Sequence, residues 1–300
     1  MSAAAPIFEG HVPFRGHETW YRLAGDRDEP GKLPVICLHG GPGAPSYYLE
    51  PLEGLAADGR RAVFYDQIGC GRSALPDPQD PSFWTAEMFV DEVSAVRGAL
   101  GLERVHLFGN SWGGMLAMEV ALTHPEWLAS LVLASAPASI PQWVEETGRL
   151  RAQLPADVQE TLTRHEEAGT TDDPVYEEAC MVFYRRHVCR LDPWPDCVTR
   201  TFEDLSHGVY ESMNGPSEFH VTGSLREWSV IPRLGEIGVP TLVVTGEHDE
   251  ATPAIARTVH EGIPGSELAI LDGASHMAHV EQTGRYLALL DDFFTRVEAV

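Results

Sequence analysis

The sequence predicts an α/β fold in which a mostly parallel central sheet is covered by helices on both faces. Three observations in the 300 residues predict it. Short apolar runs alternate with helical segments over the first 140 residues, and the pattern resumes near residue 240. Such runs are typical of strands in a parallel sheet that is buried on both faces. One run passes through a glycine-rich turn directly into a helix, at residues 105–125.

The elements of the first half follow from local patterns. Thr85 is a suitable N-cap, and Glu87 lies in the first turn of the helix predicted over residues 85–102. The runs that predict strands are short, apolar and β-rich. They are LPVICLHG (33–40), RRAVFYDQ (60–67), VHLF (105–108) and SLVLASA (130–136), while WGGMLAMEVALTHP (112–125) predicts a helix.

The strand pattern stops near Ser139. Residues 140–232 hold no clear buried strand, are rich in Glu, Arg and Trp, and contain helical stretches such as PVYEEACMVFYRRHVC (174–189). We interpret them as a helical insertion. The pattern then resumes with strands predicted at PTLVVTGEHD (240–249) and SELAILDG (266–273), and a last helix through YLALLDDFFTRV (286–297).

The composition argues against several classes of partner. The formal net charge of −24 disfavours binding to nucleic acid and to anionic lipid surfaces. No segment approaches the roughly 18 apolar residues of a membrane span. The first residues, MSAAAPIFEGHVPF, lack the basic flank and long apolar stretch of a signal peptide. We therefore expect a cytoplasmic protein.

Cysteine and histidine spacings do not indicate a cofactor. The five cysteines are odd in number and show no C-x-x-C spacing, so a disulfide framework is not expected. The H-E-x-x-H spacing is missing too, and His276 and His279 lie three residues apart without a further ligand set. We expect neither a metal nor an organic cofactor.

The stretch GNSWGG (109–114) carries the strongest chemical signal. It fits G-x-S-x-G between a predicted strand and a predicted helix, which is the context of a nucleophile elbow. There Ser111 is presented on a tight turn, at a helix N-terminus whose amide groups favour developing negative charge. The alternative is a glycine-rich turn that serves packing only.

A serine nucleophile needs a base and a third group that orients the base. In a doubly wound hydrolase these follow as an acid and then a histidine, each after a later strand. Asp249 ends the run TLVVTGEHD, and His276 follows LAILDGAS. Alternatives remain for both roles. They are Glu247 and Glu250 for the acid and His279 for the base, while His248 is interpreted as a loop neighbour.

Two backbone amides are candidates for an oxyanion hole. One belongs to Trp112, the residue after the predicted nucleophile, and the other to Gly41 in the loop HGGPG (39–43). The alternative for this loop is a phosphate cradle. Neither G-x-x-x-x-G-K-[ST] nor G-x-G-x-x-G occurs in the chain, which disfavours that alternative.

Taken together, several motifs resemble those of the proline iminopeptidase family of α/β-hydrolases. Within that family, they are most similar to the motifs of the tricorn-interacting aminopeptidase branch. The likeness runs from about residue 33 to the C-terminus. G-x-S-x-G alone is shared with lipases and esterases, whereas the set is far more specific. The motifs are HGGPG (39–43), YDQIGCGRS (65–73), GNSWGG (109–114), MNGPSEF (213–219), GEHDEATP (246–253) and SHM (275–277).

The resemblance implies an α/β-hydrolase core, residues 1–139 and 233–300, with the insertion 140–232 as a helical cap over the active site. It also implies that Glu218 and Glu250 bind the free α-ammonium of the substrate. A partly desolvated ammonium needs acceptors of opposite charge, so two carboxylates suit an exopeptidase. For any single Glu in so acidic a chain, the alternative is a solvated surface charge.

The predicted function is therefore a serine hydrolase that cleaves the amide bond after an N-terminal residue with a free α-amine. The partner expected is a small-molecule or peptide substrate, and the chain is expected to be a monomer or small homo-oligomer. One alternative removes an aminoacyl group from a non-peptide natural-product intermediate. Others are an esterase of the same fold and a non-catalytic ligand receptor.

Overall fold

An eight-stranded sheet forms the centre of the protein, and a computed structural model describes residues 5–76 and 78–299 of the chain. The strands of the sheet are β1 (Ile7–Phe14), β2 (His17–Ala24), β3 (Val35–Leu38), β4 (Ala62–Tyr65), β5 (Val105–Asn110), β6 (Leu128–Ala134), β7 (Thr241–Gly246) and β8 (Glu267–Leu271).

The sheet is mostly parallel, as predicted. Its spatial order is β1-β2-β4-β3-β5-β6-β7-β8, and every pairing from β4 onwards is parallel. Strands β3, β4, β5, β6 and β7 are buried at every position. The carboxyl ends of the parallel strands therefore meet at one edge, where sites of doubly wound sheets are found.

The antiparallel hairpin β1–β2 is the element that the predicted strands leave out. Its strands are joined at Arg15 and Gly16, which have φ values of +47° and +84°, as a two-residue hairpin turn requires. β1 is exposed over much of its length. It therefore lacks the continuous apolar run from which the other strands are predicted.

Helices cover both faces of the sheet, and further helices form the insertion between β6 and β7. They are α1 (Ala86–Ala99), α2 (Trp112–Thr123), α3 (Ile140–Arg151), α4 (Ala156–Ala168), α5 (Pro174–His187), α6 (Asp196–Glu203), α7 (His207–Met213), α8 (Pro253–Gly262), α9 (Ala278–Glu281) and α10 (Thr283–Glu298). Six 3₁₀ helices in the described residues connect the strands and α-helices. They span Ser46–Asp58, Gly71–Ser73, Pro81–Phe83, Pro125–Trp127, Ser224–Glu227 and Ile231–Glu236.

Two apolar cores lie on opposite faces of the sheet. One contains side chains of α1, α2 and α8, and the other contains side chains of α10 and of the 3₁₀ helix Ser46–Asp58. The Thr85 side chain accepts a hydrogen bond from the Met88 amide and so caps α1 as predicted. A third, smaller core lies within α4 and α5 of the insertion and includes Leu162 and Phe183.

The insertion 140–232 lies between β6 and β7 and begins with α3 at Ile140. Among the described residues it contributes helices and isolated bridges, and none of its residues joins the central sheet. Its separate core is consistent with a cap, and we keep the boundaries 1–139 and 233–300 for the core and 140–232 for the cap as a proposal. Within the described parts of the chain, every helix is too short or too polar to cross a bilayer.

Candidate active site

Ser111 lies on a strained turn between β5 and α2. Its φ and ψ are 57° and −124°, which a non-glycine residue rarely adopts. Its amide donates to the Ala134 carbonyl oxygen at 2.9 Å, and its side chain makes no capping bond to α2. The hydroxyl is thus free of the helix that it precedes. This is the geometry that the G-x-S-x-G stretch predicts.

The glycines around Ser111 are needed because the elbow packs against backbone. A Cβ on Gly109 would lie 2.1 Å from the Gly113 carbonyl oxygen. A Cβ on Gly113 would lie 2.2 Å from the Leu38 carbonyl oxygen, at the end of β3. The glycines therefore serve both packing and the presentation of Ser111, so the two interpretations of this stretch are compatible.

Asp249 and His276 lie together at the ends of β7 and β8. His276 Nδ1 is 2.8 Å from Asp249 Oδ1, and both residues are buried. The Asp249 carboxylate also accepts from the Ala251 amide at 2.7 Å and from the Thr245 hydroxyl at 2.9 Å. These bonds fix the carboxylate, which in turn can fix the imidazole with its Nε2 free for proton transfer.

The protonation of His276 depends on two opposing effects. Burial alone would lower the pKa of His276, but the charge and hydrogen bond of Asp249 outweigh it and raise the pKa. An imidazolium is thus stabilised at this position. A base that takes a proton from serine in the transition state needs this property.

The other candidate histidines lie elsewhere. His279 is buried, its Nε2 is 3.1 Å from the Tyr48 carbonyl oxygen, and burial lowers its pKa to about 3. His248 is half-buried and lies 3.7 Å from the carboxylate of Glu247. Neither borders the cavity described next, whereas His276 does.

A cavity of about 410 Å³ brings most of the predicted site residues together. Its lining includes Ser111, His276, Gly41, Glu218 and Glu250. A much smaller recess of about 10 Å³ lies on another side of the nucleophile and is lined by Ser111, Trp112, Gly41 and Glu218 together with apolar side chains. Those side chains are Met115, Pro137, Ile140, Trp143 and Leu225.

Gly41 and Trp112 form what we call the oxyanion wall. Gly41 has φ +105°, and a Cβ there would lie 2.7 Å from the amide nitrogens of Gly43 and Ala44. Trp112 is the first residue of α2, where amide groups have no partner within the helix. Both residues border Ser111 in the small recess, so their amides can serve as donors to an oxyanion.

Glu218, Glu250 and Tyr210 form a second part of the cavity lining, which we call the acidic wall. The Tyr210 hydroxyl donates to Glu218 Oε1 at 2.7 Å, while Glu250 Oε1 lies 3.7 Å from His276 Nδ1. Glu250 is 1% exposed, and its Oε2 is buried without a hydrogen-bond partner. A buried carboxylate oxygen without a partner is costly, and a bound cation would relieve that cost.

The charge state of the acidic wall follows from its burial. Burial raises the pKa of Glu218, although the Tyr210 hydroxyl and His276 act in the opposite direction. Burial raises the pKa of Glu250 well above its ordinary value, and the charges of Glu218 and Asp249 raise it further. Both carboxyls therefore hold their protons to higher pH than exposed glutamates do.

The insertion is fastened to the loops that carry Asp249 and His276, a feature that the sequence does not signal. The His276 amide donates to the His187 carbonyl oxygen at 3.0 Å, and the Met277 amide donates to that of Val188 at 2.9 Å. His187 Nδ1 is 2.9 Å from the His248 carbonyl oxygen. The end of α5 thus supports the loops that hold both members of the pair.

Tyr48 is a further residue that the sequence reasoning missed. Its hydroxyl accepts from the Gly40 amide at 2.7 Å and donates to Asn110 Oδ1 at 2.8 Å. It thereby connects the HGGPG loop to the residue before Ser111. Asn110 lies inside the G-x-S-x-G stretch, but nothing in the sequence indicates that its partner is Tyr48.

The aromatic residues of the insertion divide between the cavities and the packed interior. Tyr184 and Tyr210 border the large cavity, and Trp143 borders the small recess. Phe183 packs in the core of the insertion, and Trp194 packs beside the second core of the sheet.

Among the described residues, no group of three His, Cys, Asp or Glu side chains is arranged to hold a metal ion.

Comparisons with known proteins identify the family. Residues 34–283 match the family described as alpha/beta hydrolase fold. The proline iminopeptidase of Lactobacillus helveticus (strain DPC 4571) is 40% identical over 290 residues, which are 96% of this chain and 97% of that protein. The chain belongs to the proline iminopeptidase family of α/β hydrolases.

Solved structures agree with that assignment. The crystal structure of proline iminopeptidase from Mycobacterium smegmatis has a TM-score of 0.89 and 44% identity, covering 97% of this chain and 99% of that one. The crystal structure of VinJ has a TM-score of 0.93 and 44% identity over the same shares. The predicted fold class and the predicted family are thereby confirmed, while the tricorn-interacting branch stays a prediction.

Proposed function

We propose that this member of the family is a serine aminopeptidase that removes an N-terminal residue with a free α-amine from a peptide or small-molecule amide. The observation that carries the proposal is the unpartnered buried Oε2 of Glu250, beside Glu218, in the cavity that Ser111 and His276 border. The relatives named proline iminopeptidase support it.

The proposed first half-reaction forms an acyl-enzyme. Ser111 Oγ attacks the carbonyl carbon while His276 Nε2 takes its proton, and Asp249 stabilises the imidazolium. The amides of Gly41 and Trp112 stabilise the oxyanion. The C–N bond then breaks, and His276 returns the proton to the leaving amine.

The second half-reaction releases the amino acid. His276 takes a proton from water, the resulting hydroxide attacks the acyl carbon, and the bond to Ser111 breaks as the serine regains its proton. Throughout, Glu218 and Glu250 hold the α-ammonium, which leaves the first carbonyl of the substrate in line for attack. These steps require no cofactor.

The two cavities suggest where the halves of the substrate lie. The small recess, bordered by Glu218, Asn214 and apolar side chains, marks the side of Ser111 on which the N-terminal residue would lie. The larger cavity, which reaches under α5 and α7 of the proposed cap, suits the leaving part.

A hydrolysis panel tests the proposal. Aminoacyl arylamides should be cleaved, and their N-acetylated forms should not, because acetylation removes the charge that Glu218 and Glu250 recognise. Ser111→Ala should abolish turnover without unfolding the protein. Ser94→Ala, in helix α1 and outside the lining of both cavities, is the matched control and should retain full activity.

The same panel decides between the alternatives. Equal cleavage of acetylated substrates, or a preference for simple esters, would favour the esterase. Turnover of aminoacyl groups on a non-peptide amine but not of peptides would favour the biosynthetic hydrolase. Failure of a fluorophosphonate to label Ser111 would favour a receptor. The proposal includes no nucleic-acid or anionic-membrane partner, which the net charge of −24 supports, while the cytoplasmic location stays a prediction.

A further inference from the structure

The motif YDQIGCGRS has no role in the proposed chemistry, yet its glutamine lies between the two halves of the oxyanion wall. Gln67 follows the end of β4 by two residues and is 1% exposed. Its backbone and its side chain make three hydrogen bonds that reach His39 and Trp112. It does not border either cavity, so it can act only through its neighbours.

On one side Gln67 holds His39 at two points. The Gln67 amide donates to His39 Nε2 at 2.8 Å, and the Gln67 side-chain Nε2 donates to the His39 carbonyl oxygen at 2.9 Å. Because His39 Nε2 accepts, its proton lies on Nδ1, which donates to the Gly40 carbonyl oxygen at 3.0 Å. Burial lowers the pKa of His39 to about 4, which keeps this neutral tautomer.

On the other side Gln67 holds Trp112. The indole Nε1 donates to Gln67 Oε1 at 2.9 Å, and the ring also packs edge-on against Phe89 with centroids 5.6 Å apart. Trp112 is 2% exposed. Its backbone amide is one proposed oxyanion donor, and the other, that of Gly41, lies two residues after His39.

We propose that Gln67 is a positioning residue that fixes the spacing between the Gly41 and Trp112 amides. The inference rests on the proposed function, because it presumes that these amides stabilise an oxyanion. A primary amide suits the role, since it offers a donor to the His39 carbonyl and an acceptor to the Trp112 indole at a fixed separation. A methionine offers no donor and only a weak sulfur acceptor, and a carboxylate offers only acceptors.

The test is a double-mutant cycle with Gln67→Met and Trp112→Phe. Each change breaks the Gln67–Trp112 bond, so each should lower kcat about tenfold or more while KM changes less than twofold, given that loss of a whole donor costs about 100-fold. The double variant should be no slower than the worse single variant, because both changes remove one shared link.

Inhibitor affinities separate positioning from stability. An aminoacyl boronate, which mimics the tetrahedral oxyanion, should bind more weakly in step with kcat. The matching amino alcohol has no oxyanion for the two amides to stabilise, and Gln67 borders neither cavity, so Gln67→Met should leave its affinity unchanged. Ser130→Ala, which breaks a buried 2.7 Å bond to His106 away from the cavity, is the control and should leave kcat unchanged.

The outcomes are decisive either way. An unchanged kcat and unchanged boronate affinity, with only a lower melting temperature, would overturn the role of Gln67, as would additive effects in the cycle. If Gln67→Met does not fold, Trp112→Phe is measured alone, because it keeps an aromatic ring at this position and removes only the indole N–H donor and part of the ring system. Failure of the proposed function itself would be visible separately, as an inactive wild-type enzyme.

Discussion

The oxyanion wall and the acidic wall face the same nucleophile but differ in how their polar groups are paired. Behind the oxyanion wall, every polar atom of the Gln67 side chain has a partner within 2.9 Å. In the acidic wall, Glu218 has the Tyr210 hydroxyl, but Glu250 Oε2 is buried without one. One wall is fully paired in the structure, whereas the other leaves a buried carboxylate oxygen available to a ligand.

The difference in pairing matches the two roles that we propose for the walls, stabilisation of the transition state and recognition of the substrate. Catalytic dipoles stabilise a transition state best when they are already in place, because no reorganisation is then needed during the reaction. A charge that recognises a substrate can instead remain unpaired until the substrate arrives. Its desolvation cost lowers the stability of the free enzyme and is offset on binding.

The largest expected effect comes from disturbing the glycine-packed elbow that places Ser111 and Trp112 of the oxyanion wall. Gly109→Ala would place a methyl group 2.1 Å from the Gly113 carbonyl oxygen, and no flexible side chain can move away. We expect the free energy of unfolding to fall by about 3 kcal/mol. Urea denaturation followed by tryptophan fluorescence measures it.

A second alanine substitution provides the control for Gly109→Ala. Gly98 lies in α1, and no atom lies within 4 Å of the position that an added methyl group would take, so Gly98→Ala should stabilise by about 0.5–1 kcal/mol. Equal effects of the two substitutions would contradict the close packing of the elbow.

Local sequence patterns predict some parts of the candidate site and miss others. The elbow and the chain order of Ser111, Asp249 and His276 follow strand ends, which local patterns reveal. That Glu218 binds the α-ammonium is predicted by the family resemblance alone, because a single Glu in an acidic chain has no local sequence signal. The contacts of Tyr48, Gln67 and His187 depend on residues far away in sequence, so no local pattern could predict them.

The second prediction removes the charges of the acidic wall. The double variant Glu218→Gln/Glu250→Gln keeps the shape of the side chains but should lower kcat/KM for free-amine substrates at least about 100-fold, since charged hydrogen bonds contribute about 1.5–3 kcal/mol each. Steady-state kinetics on an aminoacyl arylamide measures it. Glu103→Gln, outside both cavities, is the control. A loss confined to kcat, with unchanged amino-alcohol affinity, would argue against ammonium recognition.

The same double variant should be more stable than the wild type, by about 1 kcal/mol at neutral pH. The sign follows from the raised pKa values of Glu218 and Glu250. A group with a raised folded-state pKa stabilises below its unfolded pKa, and that contribution is lost as pH rises through the folded value. The stability advantage of the variant should therefore grow between pH 5 and pH 8, as measured by thermal unfolding. A constant difference would mean that the two carboxyls titrate normally.

The smallest expected effect concerns the one partner that the acidic wall already has. The Tyr210 hydroxyl lowers the pKa of Glu218 against the larger effect of burial. Tyr210→Phe removes that donor at 2.7 Å, so the pKa of Glu218 should rise. As the pH is lowered, Glu218 should then become protonated at a higher pH than in the wild type. The acid limb of the kcat/KM profile should then move to higher pH, with about a threefold loss at pH 7. Tyr47→Phe, whose hydroxyl donates to Asp204 outside the cavity, should leave the profile in place. If the two profiles coincide, Glu218 does not bind the ammonium as a carboxylate, and recognition in the acidic wall rests on Glu250 alone.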